Sequence, residues 1–181
     1  MTLTYSLTED DYLQLQLFIA SKSERVNKLR KRRRFWVTAI FFIAAIAFCN
    51  SFDRIFFYYF LVLAIVSAFF HRNYTAYLYK KHYKKYVADV NKNSFNETIN
   101  VMFTDEILET ADRSGTSKIN LPEMEVFSET GSYFYLKLKT GSHLIIPKAQ
   151  LHNNDEVRTL LINLSKKLNI NFLSDLNWKW K

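Results

Sequence analysis

Side chains that commonly carry chemistry are few in this chain, and their spacing does not favour a shared reaction. The histidines are His71, His82, His143 and His152. None of them has another histidine at i+4, the spacing that places two metal ligands on one helix face. Asp105 and Glu106 are adjacent carboxylates at a predicted turn between strands. Such residues serve turns and solubility more often than catalysis, so neither group predicts an active site.

Glycine and cysteine restrict the possible function further. The three glycines, Gly115, Gly131 and Gly141, are too far apart to form a glycine-rich phosphate loop or a dinucleotide fingerprint. Cys49 is the single cysteine, so the chain has no internal disulfide. We therefore expect a non-enzymatic protein without cofactor or metal. An enzyme or transporter component with an unrecognised motif is the less favoured alternative.

Two uncharged apolar runs, residues 35–52 and 55–70, dominate the first half of the sequence. As helices of 18 and 16 residues they span about 27 and 24 Å, slightly less than the hydrocarbon core of a bilayer. Asp53 and Arg54 lie between them, where a turn outside the membrane is expected. These runs predict a two-helix transmembrane hairpin. The alternative is a helical hairpin buried in a soluble domain, although core helices usually keep a polar stripe.

Basic residues flank the hairpin on both sides. Residues 21–34 have eight basic residues and one acid, a net charge of +7, and residues 72–85 have five basic residues and no acid. The predicted collar at the membrane interface is Lys28, Arg30, Lys31, Arg32, Arg33, Arg34, Arg72, Lys80, Lys81, Lys84 and Lys85. The predicted aromatic belt is Trp36, Tyr74 and Tyr77. Because basic residues favour the cytoplasmic side, we expect a multi-pass protein of the inner (plasma) membrane with both termini cytoplasmic.

Helical patterns continue beyond both apolar runs. Residues 1–34 predict a short strand, from the alternation in Leu3–Leu7, followed by an amphipathic cytosolic helix that begins near Thr8. No glycine or proline interrupts residues 9–52, which favours one continuous helix into the membrane. Residues 71–93 predict a second cytosolic helix. The two extensions would form a stalk.

Residues 94–181 change to short alternating segments that end in one helix. The predicted strands are Thr98–Thr104, Glu106–Asp112, Thr116–Leu121, Met124–Glu129, Tyr133–Lys139 and Ser142–Ile146. A helix capped by Asn154 or Asp155 follows. The predicted fold class is an α+β membrane protein, in which a pleckstrin-homology-like antiparallel meander or barrel is capped by the C-terminal helix. Leu3–Leu7 would add an edge strand to this domain.

Three segments of this domain resemble a known family. They are Phe103–Ile107, Gly115–Ile119 and Leu144–Lys148. Together with the opening segment Tyr5–Tyr12, they are similar to the YcxB-like proteins. That resemblance implies a small bacterial membrane protein with an N-terminal two-span hairpin and a C-terminal domain of about this size. It implies no catalytic residue.

Charge distribution narrows the expected partners. Residues 89–181 have 11 basic and 12 acidic residues, so the basic excess belongs to the flanks of the hairpin. This distribution does not favour nucleic acid. We expect contact with anionic lipid headgroups, and a domain that binds a protein partner or a second copy of the chain. A sensor of anionic lipid at the membrane surface is the alternative function.

Overall fold

The computed structural model describes residues 1–49 and 54–181, with the backbone alone at residues 72 and 93. The described chain divides into two compact units. We call Met1–Leu15 with Tyr86–Lys179 the sheet unit, and Gln16–Lys85 with Trp180–Lys181 the helical unit. The end of the first predicted apolar run and the predicted turn at Asp53 lie outside the described residues.

All strands of the described chain belong to the sheet unit. They are β1 (Thr2–Ser6), β2 (Thr98–Phe103), β3 (Ile107–Asp112), β4 (Gly115–Asn120), β5 (Met124–Thr130), β6 (Tyr133–Leu138), β7 (His143–Pro147) and β8 (Asn171–Asp175). The α-helices are α1 (Glu9–Lys22), α2 (Glu24–Ala47), α3 (Arg54–Val90) and α4 (Asn154–Leu168). One sheet has the order β1-β2-β3-β4 and the other β7-β6-β5-β8.

The first strand joins residues that are far apart in sequence. β1 runs antiparallel to β2, with Leu3 opposite Val101 and Tyr5 opposite Ile99. Leu3, Tyr5 and Val101 are buried, whereas the intervening Thr4 is exposed. This is the alternation expected of a strand with one face on the core. The edge strand predicted from Leu3–Leu7 is therefore present.

The predicted single antiparallel meander is wrong in its topology, because the strands form two sheets and one strand pair is parallel, whereas the expected likeness to pleckstrin-homology domains is not confirmed. A 3₁₀ turn, Leu121–Glu123, separates β4 from β5, and Pro122 within it has no N–H to continue a ladder. After α4 the chain returns as β8, which runs parallel to β5 with Val126 opposite Asn171. The sequence predicts no strand there, because Asn171–Asp175 has only two apolar residues and no alternation.

Helix α4 covers the second sheet. Its N-cap is Asn153, whose side-chain oxygen accepts hydrogen bonds from the backbone N–H groups of Asp155 and Glu156. The predicted caps were one and two residues too late. Val157 and Leu161 are fully buried on the side that packs against β5 and β8. The helix therefore fixes the crossover that makes the parallel pairing possible.

Helices α1 and α2 are separate, so the expected continuous helix over residues 9–52 is wrong. Thr8 and Asp11 form a reciprocal capping box at the start of α1, where Thr8 N donates to Asp11 Oδ2 at 2.7 Å. Ser23 then interrupts the helix with an extended backbone, and its side chain accepts from Val26 N. The absence of glycine and proline favoured a continuous helix, but a serine at an N-cap position explains the break.

In the helical unit, α2 packs antiparallel to α3. The hydroxyls of Thr38 and Ser67 lie 3.2 Å apart, and the ring centroids of Phe48 and Phe60 are 5.6 Å apart. Ala45 and Ala64 are buried between these contacts. Their small side chains let the two helices approach closely. Most other apolar side chains of the pair face outward.

The predicted two-span transmembrane hairpin is contradicted. Within the described residues, one helical segment, Arg54–His71, is long and apolar enough to cross a membrane, with a mean hydropathy of 1.8. Helix α2 ends at Ala47, so its uncharged part starting at Phe35 is about 20 Å long. That length is well short of the hydrocarbon thickness of about 30 Å, and five basic residues precede it.

Candidate anion-binding site in the helical unit

The residues first considered for chemistry do not converge. Across residues 1–49 and 54–181, no group of three or more His, Cys, Asp or Glu side chains is arranged to hold a metal. Asp105 and Glu106 are exposed in the turn between β2 and β3. His143 is half-buried, and this burial lowers its pKa below the ordinary histidine value. These groups remain separate.

Glu129 is the most buried carboxylate of the sheet unit, with 3% of its surface exposed. Its oxygens accept hydrogen bonds from Lys148 Nζ at 2.7 Å, Arg158 Nε at 3.0 Å and Ser174 Oγ at 2.9 Å. Burial alone would raise the pKa of Glu129, but these three hydrogen bonds outweigh burial and lower it. With both oxygens occupied, the carboxylate is suited to joining β5, β8 and α4.

A cavity of about 330 Å³ lies between α2 and α3 in the helical unit. Its lining residues are Asn27, Arg30, Lys31, Arg34, His71, Thr75 and Lys181. None of these side chains is acidic. Four of these side chains are cationic. Three of the four, Arg30, Lys31 and Arg34, are on α2 at positions i, i+1 and i+4, a spacing that places them toward one side of the helix. Arg30 Nη2 donates to the backbone oxygen of Lys181, and Lys31 and Arg34 are exposed, so the cavity is a positive site open to solvent.

Helix α3 contributes the opposite wall of the cavity. Thr75 is buried, and its hydroxyl donates a hydrogen bond of 2.6 Å to the carbonyl of His71 one turn earlier. The His71 Nε2 atom is buried and has no hydrogen-bond partner in the described part of the chain. Buried polar atoms nearly always have such a partner, so this nitrogen is an unsatisfied polar atom of a residue that lines the cavity.

Arg30 is held in place by aromatic contacts. Its guanidinium lies 4.7 Å from the ring centroid of Trp180 and 5.8 Å from that of Tyr79. The Trp180 indole N–H donates to the carbonyl of Ala76 at 2.9 Å, which fixes the indole against α3. These contacts orient one positive charge of the cavity before any ligand arrives.

An apolar groove of about 520 Å³ lies next to this cavity in the same unit. Its lining residues are Arg33, Val37, Phe41, Leu63, Val66, Ser67, Phe70, His71, Asn73 and Tyr74. Most of this lining is aliphatic or aromatic. His71 lines both the groove and the basic cavity, so a polar site and an apolar site meet at one residue.

The predicted basic collar is divided among different environments. Arg30, Lys31 and Arg34 line the cavity, and Arg33 lines the groove. Lys28 is exposed and pairs with Glu24 at 3.6 Å. The remaining described collar side chains are exposed and line neither site: Arg32, Lys80, Lys81, Lys84 and Lys85. Arg72 is on α3, and its side chain lies outside the described atoms.

The predicted aromatic belt is also divided. Trp36 is exposed and contacts Phe35 edge-on, with ring centroids 5.9 Å apart. Tyr74 and Tyr77 are both exposed, and Tyr74 also lines the apolar groove. Only Tyr74 therefore belongs to the candidate site.

Four residues of the cavity were not predicted to belong to a basic site: Asn27, His71, Thr75 and Lys181. The spacing of Asn27, Arg30 and Arg34 along α2 was a usable signal for one helix face. His71 and Thr75 are likewise one turn apart on α3. The spacing within each helix does not show that α2 and α3 meet at this level.

The described chain thus defines an α+β protein with two mainly antiparallel sheets, one parallel strand pair and a largely exposed helix pair. Residues 103–161 match the family model described as YcxB-like protein, so the chain contains a YcxB-like domain. The match lies in the sheet unit and covers none of the basic cavity. Comparison with curated proteins and with solved structures gives no significant match.

Proposed function

We propose that this is a non-enzymatic membrane protein whose α3 holds the YcxB-like domain at the cytoplasmic face of the inner (plasma) membrane. The observation that carries the proposal is the exposed apolar surface of Arg54–His71, of which only 6% is buried inside the protein. Ile55 and Phe69 are 76% and 77% exposed. A core helix would be mostly buried, whereas contact with lipid makes such a surface favourable.

The charges beside this apolar surface support the same proposal. Arg33 and Arg34 immediately precede the apolar part of α2, and Arg72 immediately follows the apolar segment of α3. Because these two helices are antiparallel, the basic residues gather at one end of the apolar surface. Basic residues at one end of a membrane segment favour the cytoplasmic side.

Membrane fractionation of cells that express the full chain tests the proposal. The protein should remain in the membrane pellet after an alkaline carbonate wash, and protease added to right-side-out vesicles should leave the sheet unit intact. Release by carbonate would contradict membrane embedding. Cleavage of the sheet unit in sealed right-side-out vesicles would contradict the cytoplasmic orientation.

An exposed sheet edge supports a second function, binding of a protein partner or a second copy of the chain. In β4, Ile119 alone is partly buried, and the strand pairs with β3 but with no strand on its other side in the described chain. A free edge offers unpaired backbone groups for strand addition. The buried carboxylate Glu129 is already occupied, which favours binding over catalysis for this unit.

Cysteine cross-linking tests this second function. In a Cys49→Ser background, Ser117→Cys places a thiol on β4, and Ser142→Cys places the matched control in the exposed turn before β7. Oxidation of native membranes should cross-link the β4 variant to itself or to one partner and leave the control monomeric. Equal cross-linking of both variants, or none in either, would contradict recognition through β4.

A further inference from the structure

The geometry points to a specific site for one anionic phospholipid in the helical unit, with its phosphate in the basic cavity and one acyl chain in the apolar groove. This inference rests on the proposed membrane location.

The cavity has the charge and the donors that a phosphate requires. Lys31 and Arg34 line it, and within the described residues neither has a carboxylate within 4 Å. Arg30 is oriented by Trp180, and guanidinium groups bind phosphate oxygens with charge-assisted hydrogen bonds. His71 Nε2 on α3 is buried and has no hydrogen-bond partner among the described residues. Three cationic groups on α2 and this nitrogen on α3 therefore border one volume.

The position of the cavity identifies the phosphate as part of a lipid. Arg34 directly precedes the apolar part of α2, and His71 closes the apolar segment of α3. With that segment in the bilayer, the cavity lies at the depth of the headgroups. A phosphate bound there remains attached to hydrocarbon on the membrane side.

The groove provides a place for that hydrocarbon. Val37 and Phe41 on α2 and Leu63 and Val66 on α3 form its apolar walls. Its volume of about 520 Å³ falls within the range of about 300–1,000 Å³ that is usual for small-molecule sites. His71 borders both volumes, so one lipid can place its headgroup and an acyl chain on opposite sides of this residue.

Native mass spectrometry of the full chain in neutral detergent tests the site. The probes are phosphatidylglycerol, phosphatidylcholine and inorganic phosphate, titrated separately. We expect one phosphatidylglycerol molecule per chain at saturation, at least tenfold weaker binding of phosphatidylcholine, and no adduct or competition from inorganic phosphate at equal concentration.

Matched variants separate a site from general attraction to positive charge. Lys31→Gln with Arg34→Gln removes two charges from the cavity and should weaken phosphatidylglycerol binding at least tenfold. Arg32→Gln with Lys84→Gln removes the same charge from collar residues outside the cavity. This double variant should change phosphatidylglycerol binding less than twofold. Leu63→Trp narrows the groove and should weaken binding without changing the net charge. Circular dichroism monitors helix content in each variant.

Each part of the inference can fail separately. An equal loss of phosphatidylglycerol binding in the two double variants would show that the cavity does not select the lipid. Equal binding of phosphatidylcholine would overturn the preference for an anionic headgroup, and competition by inorganic phosphate would replace the lipid by free phosphate. Unchanged binding in Leu63→Trp would overturn the acyl site. The proposed membrane location would survive all four results, provided that the wild type resists carbonate extraction.

Discussion

Lys148 Nζ lies 2.7 Å from Glu129 Oε1, in an ion pair whose side chains are only 12% and 3% exposed. Lys137 and Glu125 are also 2.7 Å apart, but their side chains are 35% and 44% exposed. The two pairs thus have the same separation but differ in their contact with water, and Glu129 also accepts from Arg158 and Ser174. Their comparison contrasts a buried carboxylate network with an exposed ion pair.

The first prediction concerns the stability of the sheet unit. Glu129→Gln should lower the free energy of unfolding by about 3 kcal/mol, because it leaves the cations of Lys148 and Arg158 without their shared carboxylate. Glu125→Gln should cost less than about 1 kcal/mol, since water already screens that pair. Denaturant unfolding of the full chain in detergent, followed by far-ultraviolet circular dichroism, measures both. Equal losses would contradict the assigned role of burial.

The second prediction concerns acid sensitivity. The net effect of the hydrogen bonds to Glu129 is to lower its pKa in the folded protein below the ordinary value of 4.5. Its contribution to stability is therefore present above pH 4.5 and is lost as the pH falls through the folded pKa. The difference in unfolding free energy between wild type and Glu129→Gln should shrink from pH 7 to pH 3. A constant difference over this range would contradict the prediction.

The third prediction concerns the hydrogen bond that Tyr133 donates to Asp11 at 2.8 Å. Burial, followed by this hydrogen bond and the charge of Asp11, raises the pKa of Tyr133 above its ordinary value of 10.0. Tyr133→Phe should cost about 1.5–3 kcal/mol at pH 7, as expected for loss of a hydrogen bond to a charged group. Tyr86→Phe is the control, because its side chain is 46% exposed.

Alkaline unfolding provides a second measurement of Tyr133. The unfolded chain loses the tyrosine proton near pH 10 while the folded protein keeps it, so the contribution of Tyr133 to stability falls as the pH rises above 10. Tyr133→Phe should have a shallower loss of stability above pH 10 than wild type. Identical slopes would contradict the raised pKa.

Local patterns predicted the strands well and their arrangement less well. All six predicted strands in the second half agree with β2–β7 to within one residue at each end, because alternation and turn residues determine them locally. The pairing of β1 with β2 joins residues about 96 positions apart, as in the hydrogen bond between Thr4 and Asn100. Strand periodicity indicates a face but not a partner, so the division into two sheets and the parallel β8 were missed.

The candidate site was predictable in its charge but not in its geometry. The sequence identified Arg30, Lys31 and Arg34 as basic residues near an apolar segment, without separating them from neighbours outside the cavity such as Arg32. Which basic residues line the cavity depends on which side of α2 faces α3. The contact between Thr38 and Ser67 shows that side, but no sequence motif marks these two polar residues.

The fourth prediction concerns the apolar segment of α3. Val62 is near its middle and is 56% exposed. Val62→Lys should disfavour insertion by about 3 kcal/mol, on the order of a hundredfold, because a lysine within the hydrocarbon is costly. Val90→Lys, with Val90 60% exposed but outside the segment, should have no effect on insertion. The carbonate-resistant fraction of each variant in cells measures this difference. A Val62→Lys protein that remains fully resistant would contradict burial of this surface in lipid, and would require the exposed face of α3 to be covered by protein.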